Sequence, residues 1–143
     1  MKVYLSGEIH TDWREQIIQA ARGLAITFTG PVTDHGASAA SVVAILGAAP
    51  AKIWPAHQGA TRTRHEISTA DVVVVRFGEK YRQWNAAFDA GYAAALGKSL
   101  IIVHGPEHQH ALKEVDAAAA AVTDDPAKVA DLLRYVLAGV LPA

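Results

Sequence analysis

Apolar and polar positions fall in short blocks whose period alternates between that of a strand and that of a helix. Val3 to Leu5, closed by Ser6-Gly7, reads as a short buried strand ending in a turn. Thr11-Asp12 supplies a capping residue for a helix through about Gly23, with Trp13, Ile17, Ile18 and Ala21 on one face. Leu24 to Phe28 is the second expected strand, stopped by Gly30-Pro31. Ser38 to Ala49 is a small-residue stretch compatible with helix or packed loop. Pro50 to Thr63 has no clear period and is expected to be a mobile functional loop, followed by a short helix from Arg62 to Thr69.

From Asp71 the pattern sharpens. Val72-Val73-Val74-Val75 is an unbroken β-branched run, which a central parallel strand needs when both of its faces are covered. Gln83 to Leu96 reads as a helix in which Phe88, Tyr92 and Leu96 recur every four positions, ended by Gly97. Leu100 to Val103 is the next strand, closed by Gly105-Pro106. A helix near Glu107 to Asp116, an alanine-rich strand near Ala119 to Val122 and a helix from about Pro126 to Ala138, capped by Asp125, complete the chain. This alternation predicts an α/β protein: one three-layer domain over residues 1–143, with a five-stranded parallel sheet in the flavodoxin-like order 2-1-3-4-5. Ligands bind such sheets at the carboxyl ends of the strands, here Ser6 to His10, Thr29 to Asp34, Arg76 to Gln83 and His104 to Pro106.

Composition narrows the function. With 51% hydrophobic and 19% charged residues in 143, the chain can bury one sizeable core. A formal charge of -1 gives no basic field for polymeric nucleic acid or an acidic membrane. The absence of cysteine removes disulfides and thiolate zinc sites. Glu8 interrupts the first apolar run, and no stretch approaches the roughly 18 apolar residues of a membrane span, so a cytoplasmic protein is expected. No GxGxxG, Walker loop, GxSxG or HExxH occurs, which removes the usual sequence arguments for dinucleotides, ATP, serine hydrolysis and zinc.

The candidate chemistry is subtler. Asn85 and Asp89 are four apart, so they share one face of the helix after the central strand, close to the ligand edge. Ala86, Ala87, Ala90 and Ala93 leave room around Asp89, and Gly91 is a helix-interior glycine that costs about 1 kcal/mol against alanine. A solvated Asp on an exposed face satisfies the same pattern. Ser6-Gly7-Glu8-Ile9-His10 forms a glycine turn able to hold an anion, with Glu8 and His10 as candidate acid-base groups and Tyr4 two residues before it. Arg76 stands at the same edge as a substrate-binding candidate. Arg62, Arg64 and His65 form a patch suited to phosphate or simply to a solvated helix start. Trp54 and Trp84 are suited to base stacking or to packing. His108 and His110, two apart in a polar stretch, supply too few ligands to argue for a metal.

These residues resemble the nucleoside 2-deoxyribosyltransferases. Tyr4-Leu5-Ser6-Gly7 resembles their opening strand, Ala70 to Val75 their central strand, and Phe88-Asp89-Ala90-Gly91-Tyr92-Ala93 with Gly97-Lys98 their catalytic helix. Arg76-Phe77-Gly78 through Gln83-Trp84-Asn85, together with Ser6 to His10 and Trp13-Arg14, resembles the YtoQ subgroup. The resemblance implies cleavage of the N-glycosidic bond of a nucleoside or nucleotide, without cofactor or metal, through a covalent glycosyl intermediate on Asp89, oriented by Tyr4. Ser6 and Gly7 would border the sugar or phosphate, with Glu8, His10, Asn85 and Arg76 completing the substrate set. It also implies a homodimer or larger, and the apolar Leu132, Leu133, Tyr135, Val136, Leu137 and Val140 are plentiful enough to cover both core and an interface.

Two departures leave other readings open. The family nucleophile is usually Glu, one methylene longer than Asp89, and two acidic positions of the transferases fall on Gln83 and near Thr63. A nucleotide-binding or sensing module with reduced turnover, or a hydrolase of another glycosyl bond with Asp89 as general base, is compatible with the same residues.

Overall fold

The computed structural model describes residues 1–31, 54–80 and 83–140, and only the backbone of 54–59. Its strands are β1 (Lys2–Gly7), β2 (Thr27–Thr29), β3 (Val72–Arg76), β4 (Ser99–Val103) and β5 (Ala121–Thr123). Its α-helices are α1 (Trp13–Ala20), α2 (Trp54–Thr69), α3 (Trp84–Ala95), α4 (Lys113–Ala118) and α5 (Pro126–Ala138). The strands form one five-stranded sheet in the order β2-β1-β3-β4-β5, all neighbours parallel. The expected fold class and strand order are thus observed.

Side-chain alternation divides the core between the two faces of the sheet. Tyr4, Val73, Val75, Leu100 and Ile102 pack on one side against Ile67 of α2 and Ala86, Ala90 and Ala93 of α3. Val3, Leu5, Val72, Val74, Ile101 and Val103 pack on the other against Trp13 and Ile17 of α1 and Val129 and Leu133 of α5. Val72 to Val75 are buried throughout, because β3 is covered on both faces and paired on both edges. The helix ends follow local chemistry. Asp125 Oδ1 accepts a hydrogen bond from Ala127 N at 2.8 Å, and Pro126 occupies the first turn of α5. At the end of α3, Gly97 takes φ +67°, and Gly97 N and Lys98 N donate back to Ala94 O and Ala93 O. A side chain disfavours that backbone, so glycine stops the helix there.

Several expectations are corrected. Trp54 to Thr63, expected as loop, is helical and continuous with the expected short helix, giving α2. Of residues 60–69, only Thr63, Glu66 and Ile67 are at least partly buried, so a helical period is present but written mostly in polar residues. Phe88 and Leu96 do not form a packing row: they are 61% and 44% exposed, and α3 meets the sheet through its alanines instead. Of the α1 face, Ile18 lies outside the core. Asp12 precedes α1 without a side-chain cap; its Oδ1 accepts from Gln16 Nε2 at 2.8 Å, and the helix ends before Gly23. The expected helix near Glu107 to Asp116 is a 3₁₀ turn, Pro106–His108, followed by the short α4, and β5 lies slightly later than expected. His108 Nε2 sits 3.1 Å from Gly78 O, tying that turn to the loop after β3. The stretch Ser38 to Ala49 and residues Pro50 to Ile53 lie outside the described residues.

At Gly7 the backbone of β1 lies directly against that of Arg76 on β3. Gly7 takes φ +101°, and a Cβ there would lie 2.1 Å from Arg76 O. Gly7→Ala is therefore expected to destabilise the fold by at least about 3 kcal/mol, combining left-handed strain with a backbone clash. Urea unfolding checks this, and a loss below 1 kcal/mol would contradict it.

Candidate active site

The carboxyl end of β1 carries Ser6 on the same face as Tyr4, turned toward α3. The fully buried residues of α3 are the alanines Ala86, Ala90 and Ala93, and from this helix Asp89 Oδ2 accepts a hydrogen bond from Ser6 Oγ at 2.5 Å. Burial raises the Asp89 carboxyl above its ordinary 3.8, and the Ser6 hydrogen bond acts in the opposite direction. Tyr4 is 1% exposed. Burial lifts its phenol, the hydrogen bond to the Thr63 side chain opposes, and the nearby Asp89 charge adds to the rise. Tyr4 therefore stays neutral and serves as a hydrogen-bonding group. Arg62 and Arg14 also act electrostatically on it.

Glu8 is buried, with its carboxylate turned into its own loop. It accepts hydrogen bonds from His10 N, Thr11 N and Thr11 Oγ1, and Arg76 Nε lies 3.7 Å from its Oε2. Burial opposes its charge most strongly, but the Thr11 and His10 hydrogen bonds with Arg76 outweigh it and hold the carboxyl below its ordinary value. Glu8 and Arg76 are thus brought together, as partners of each other. Gly78 makes room for this pair: a Cβ there would meet Glu8 Cγ at 2.3 Å. His10 is exposed at the mouth of the same turn, and Asn85 is exposed one helical turn before Asp89.

Other candidates sit further away or make internal contacts. Arg62 Nη1 donates to Gly30 O at 2.9 Å, and Arg64 Nε to Ala60 O at 3.4 Å, both side chains being exposed. Trp84 is 74% exposed, Asp34 lies outside the described residues, and the side chain of Trp54 is not described. Where the resemblance places two acids, Thr63 bonds Tyr4, and Gln83 Oε1 accepts from Gly78 N at 3.0 Å.

Sequence reasoning passed over the role of Arg14. Its Nε, Nη1 and Nη2 donate to the carbonyls of Leu5, Glu8 and Gly7 at 3.0, 2.6 and 3.1 Å, and its guanidinium lies 4.6 Å above the Trp13 ring. Trp13 Nε1 donates to the same Glu8 carbonyl at 2.8 Å. A basic residue just inside a helix start, where cations are unfavourable, was the available signal. His104, expected at the ligand edge, has a partner that the sequence did not indicate: its Nδ1 lies 2.7 Å from Gly105 O and its Nε2 3.1 Å from both Asp116 oxygens.

Comparison with known proteins gives the family of the chain. The family described as "Nucleoside 2-deoxyribosyltransferase YtoQ" matches residues 4–137. The chain belongs to this family. A YtoQ family member of Bacillus subtilis (strain 168), described as uncharacterized, is 42% identical over 119 residues, covering 79% of this chain and 80% of that protein. Among solved structures, the 2-deoxyribosyltransferase of Bacillus psychrosaccharolyticus superposes with a TM-score of 0.62 at 14% identity, over 92% of this chain and 91% of the other. That likeness is one of fold. No helix among the described residues of this YtoQ family member is long and apolar enough to cross a membrane.

Because the Asp89 carboxyl is raised in the folded chain, its charged form is disfavoured there, and stability falls as pH rises from 3.8 through the raised value. Asp89→Asn, which keeps an acceptor for Ser6, should raise the thermal midpoint at pH 7.5, by about 3 °C for each kcal/mol recovered. The gain should vanish near pH 3.5. An equal gain at both pH values in calorimetric scans would contradict the assignment.

Proposed function

We propose that this chain processes the N-glycosidic bond of a nucleoside or nucleotide, with Asp89 as nucleophile. The observation that supports the reading best is the half-buried Asp89 carboxylate, anchored by one oxygen to Ser6 at the ligand edge of the sheet. With Oδ2 held by Ser6, Oδ1 attacks the anomeric carbon. The carbon–nitrogen bond breaks, its electron pair leaves with the base, and a glycosyl ester of Asp89 remains. A second base or a water molecule then attacks the same carbon and releases the carboxylate, with net retention. Tyr4, one strand pleat from Ser6, lines the site as a neutral hydroxyl, and Gly7, His10 and Asn85 border the space for sugar and phosphate. Glu8 and Arg76 shape the turn from behind. The substrate is a small molecule bound without metal or cofactor, and the protein acts in the cytoplasm.

A binding or sensing role is favoured by one specific observation. At Gln83 and near Thr63, where the resemblance places acids, the chain carries an amide and a hydroxyl, neither acidic enough to donate a proton to the leaving base. Turnover therefore depends on a base that leaves readily, and tight binding with negligible base release would favour this second reading.

Incubation with a panel of deoxyribo- and ribonucleosides and their 5′-monophosphates, followed by chromatography for free base, tests the proposal. Release should disappear in Asp89→Ala, and intact-mass analysis should show a glycosyl adduct on the peptide containing Asp89. Base release undiminished in Asp89→Ala would sink the mechanism. Ser6→Ala should lower kcat by roughly 10- to 100-fold, the value of a hydrogen bond to a charged group. It should also move the acid limb of the rate profile to higher pH, because it removes the contact that holds the Asp89 carboxyl down. A limb that stays in place would count against Ser6 as the anchor.

A further inference from the structure

β1 loses one of its two neighbours before it ends. Strand β2 pairs with it only as far as Thr29, opposite Tyr4, whereas β3 follows it to Gly7, opposite Arg76. Met1 O accepts from Thr27 N on the β2 edge, and Glu8 N donates to Arg76 O on the β3 edge. Backbone groups of successive strand residues turn to alternate edges, so the carbonyls of Leu5 and Gly7 face the edge that β2 has left, and Ser6 between them faces β3. Carbonyls at a buried strand edge need donors from elsewhere. Here Arg14 supplies them: Nε donates to Leu5 O at 3.0 Å and Nη2 to Gly7 O at 3.1 Å, while Nη1 holds Glu8 O at 2.6 Å. Such spacing suits a planar guanidinium, whose donors are fixed relative to one another. Gly30, the first residue past β2, packs against the same group: a Cβ there would lie 3.3 Å from Leu5 O and 3.6 Å from Arg14 Nε.

We propose that Arg14 is a positioning residue of the site: it takes the place of the missing length of β2 and thereby fixes the direction of the Ser6 hydroxyl that holds Asp89. This role rests on the reading of Asp89 as nucleophile. Ser6 lies between the two carbonyls that Arg14 clamps, and on the other edge it is in register with Val75 of β3. Its backbone is therefore held from both sides, and its Oγ is aimed at Asp89 Oδ2, 2.5 Å away. A hydroxyl favours the charged form of a carboxylate only while it points at it. Without the guanidinium, the end of β1 is held along one edge alone, beside Gly7, whose φ of +101° marks it as a residue of wide conformational freedom. Ser6 then keeps its bond to Asp89 for only part of the time. Glu8 O is less affected, because Trp13 Nε1 also donates to it, at 2.8 Å. Arg14 thus acts on Asp89 through the backbone on either side of Ser6.

Titration of the Asp89 carboxyl by carbon NMR in the substrate-free protein tests this role independently of turnover. Arg14→Lys keeps the charge but offers one nitrogen in place of three, so it cannot span Leu5 O and Gly7 O. Its Asp89 titration should move to higher pH, as in Ser6→Ala, because the hydroxyl that holds the carboxyl down is loosened in one and lost in the other. Arg14→Gln, with two donors and no charge, should move it in the same direction. Combining Arg14→Lys with Ser6→Ala should move it no further than Ser6→Ala alone, since the first residue acts through the second. Leu133→Ala, in the core on the other face of the sheet, should lower the thermal midpoint and leave the Asp89 titration in place. In nucleoside turnover, Arg14→Lys should lower kcat by about 10-fold with KM nearly unchanged. A wild-type chain without turnover would sink the proposed reaction, and the titrations would still decide the role of Arg14. An unchanged titration in Arg14→Lys, a shift that adds to that of Ser6→Ala, an equal shift in Leu133→Ala, or failure of both Arg14 variants to fold would overturn the proposal.

Discussion

Three carbonyls at the carboxyl end of β1 converge on the single guanidinium of Arg14, and the candidate site is built around that convergence. Past its last ladder bond a parallel strand leaves carbonyls that need donors, and water is scarce beside a packed helix. Arg14 meets that need from the first turn of α1. Burial draws its pKa down from the ordinary value, chiefly by desolvation, and the charge of Glu8 opposes the change. The Glu8 carboxylate in turn fastens the turn through Thr11 and reaches Arg76 on β3. One cation and one carboxylate, each held mostly by backbone and neighbouring polar groups, thereby fix the direction in which β1 leaves the sheet.

The second determinant is steric. A helix that meets a sheet through Ala86, Ala90 and Ala93 can lie closer to it than one packed through leucines, and from this helix the short Asp89 side chain reaches Ser6. The same choice explains the exposed aromatic residues of α3: with alanines facing inward, the large side chains are left on the outside.

The sheet was legible because its strands carry their own signal. Four consecutive valines admit few readings other than a strand covered on both sides, and Asp125-Pro126 with Gly139 brackets the last helix by local chemistry alone. Asp89 was legible as a polar residue among alanines. What stayed hidden depends on contacts between distant residues. Thr63 and Glu66 turn inward from α2, where a hydrophobic period cannot report them. Phe88 and Leu96 carry the correct spacing for a core face, yet it is the alanine face of α3 that is buried. Arg14 bonds backbone atoms, which no side-chain pattern encodes.

The strand order has a consequence for how the molecule comes into being. β1 is made first, but its central neighbour β3 lies about 70 residues further on, with Val3 opposite Val72. Parallel pairing across that distance requires a large loop to close before any ladder bond compensates for the lost chain entropy, which makes such steps slow. β1 is therefore synthesised well before the neighbour that encloses it. Ser6 and Asp89, separated by 83 positions, meet only once that enclosure is complete, so their contact is a local signature of a fully closed sheet.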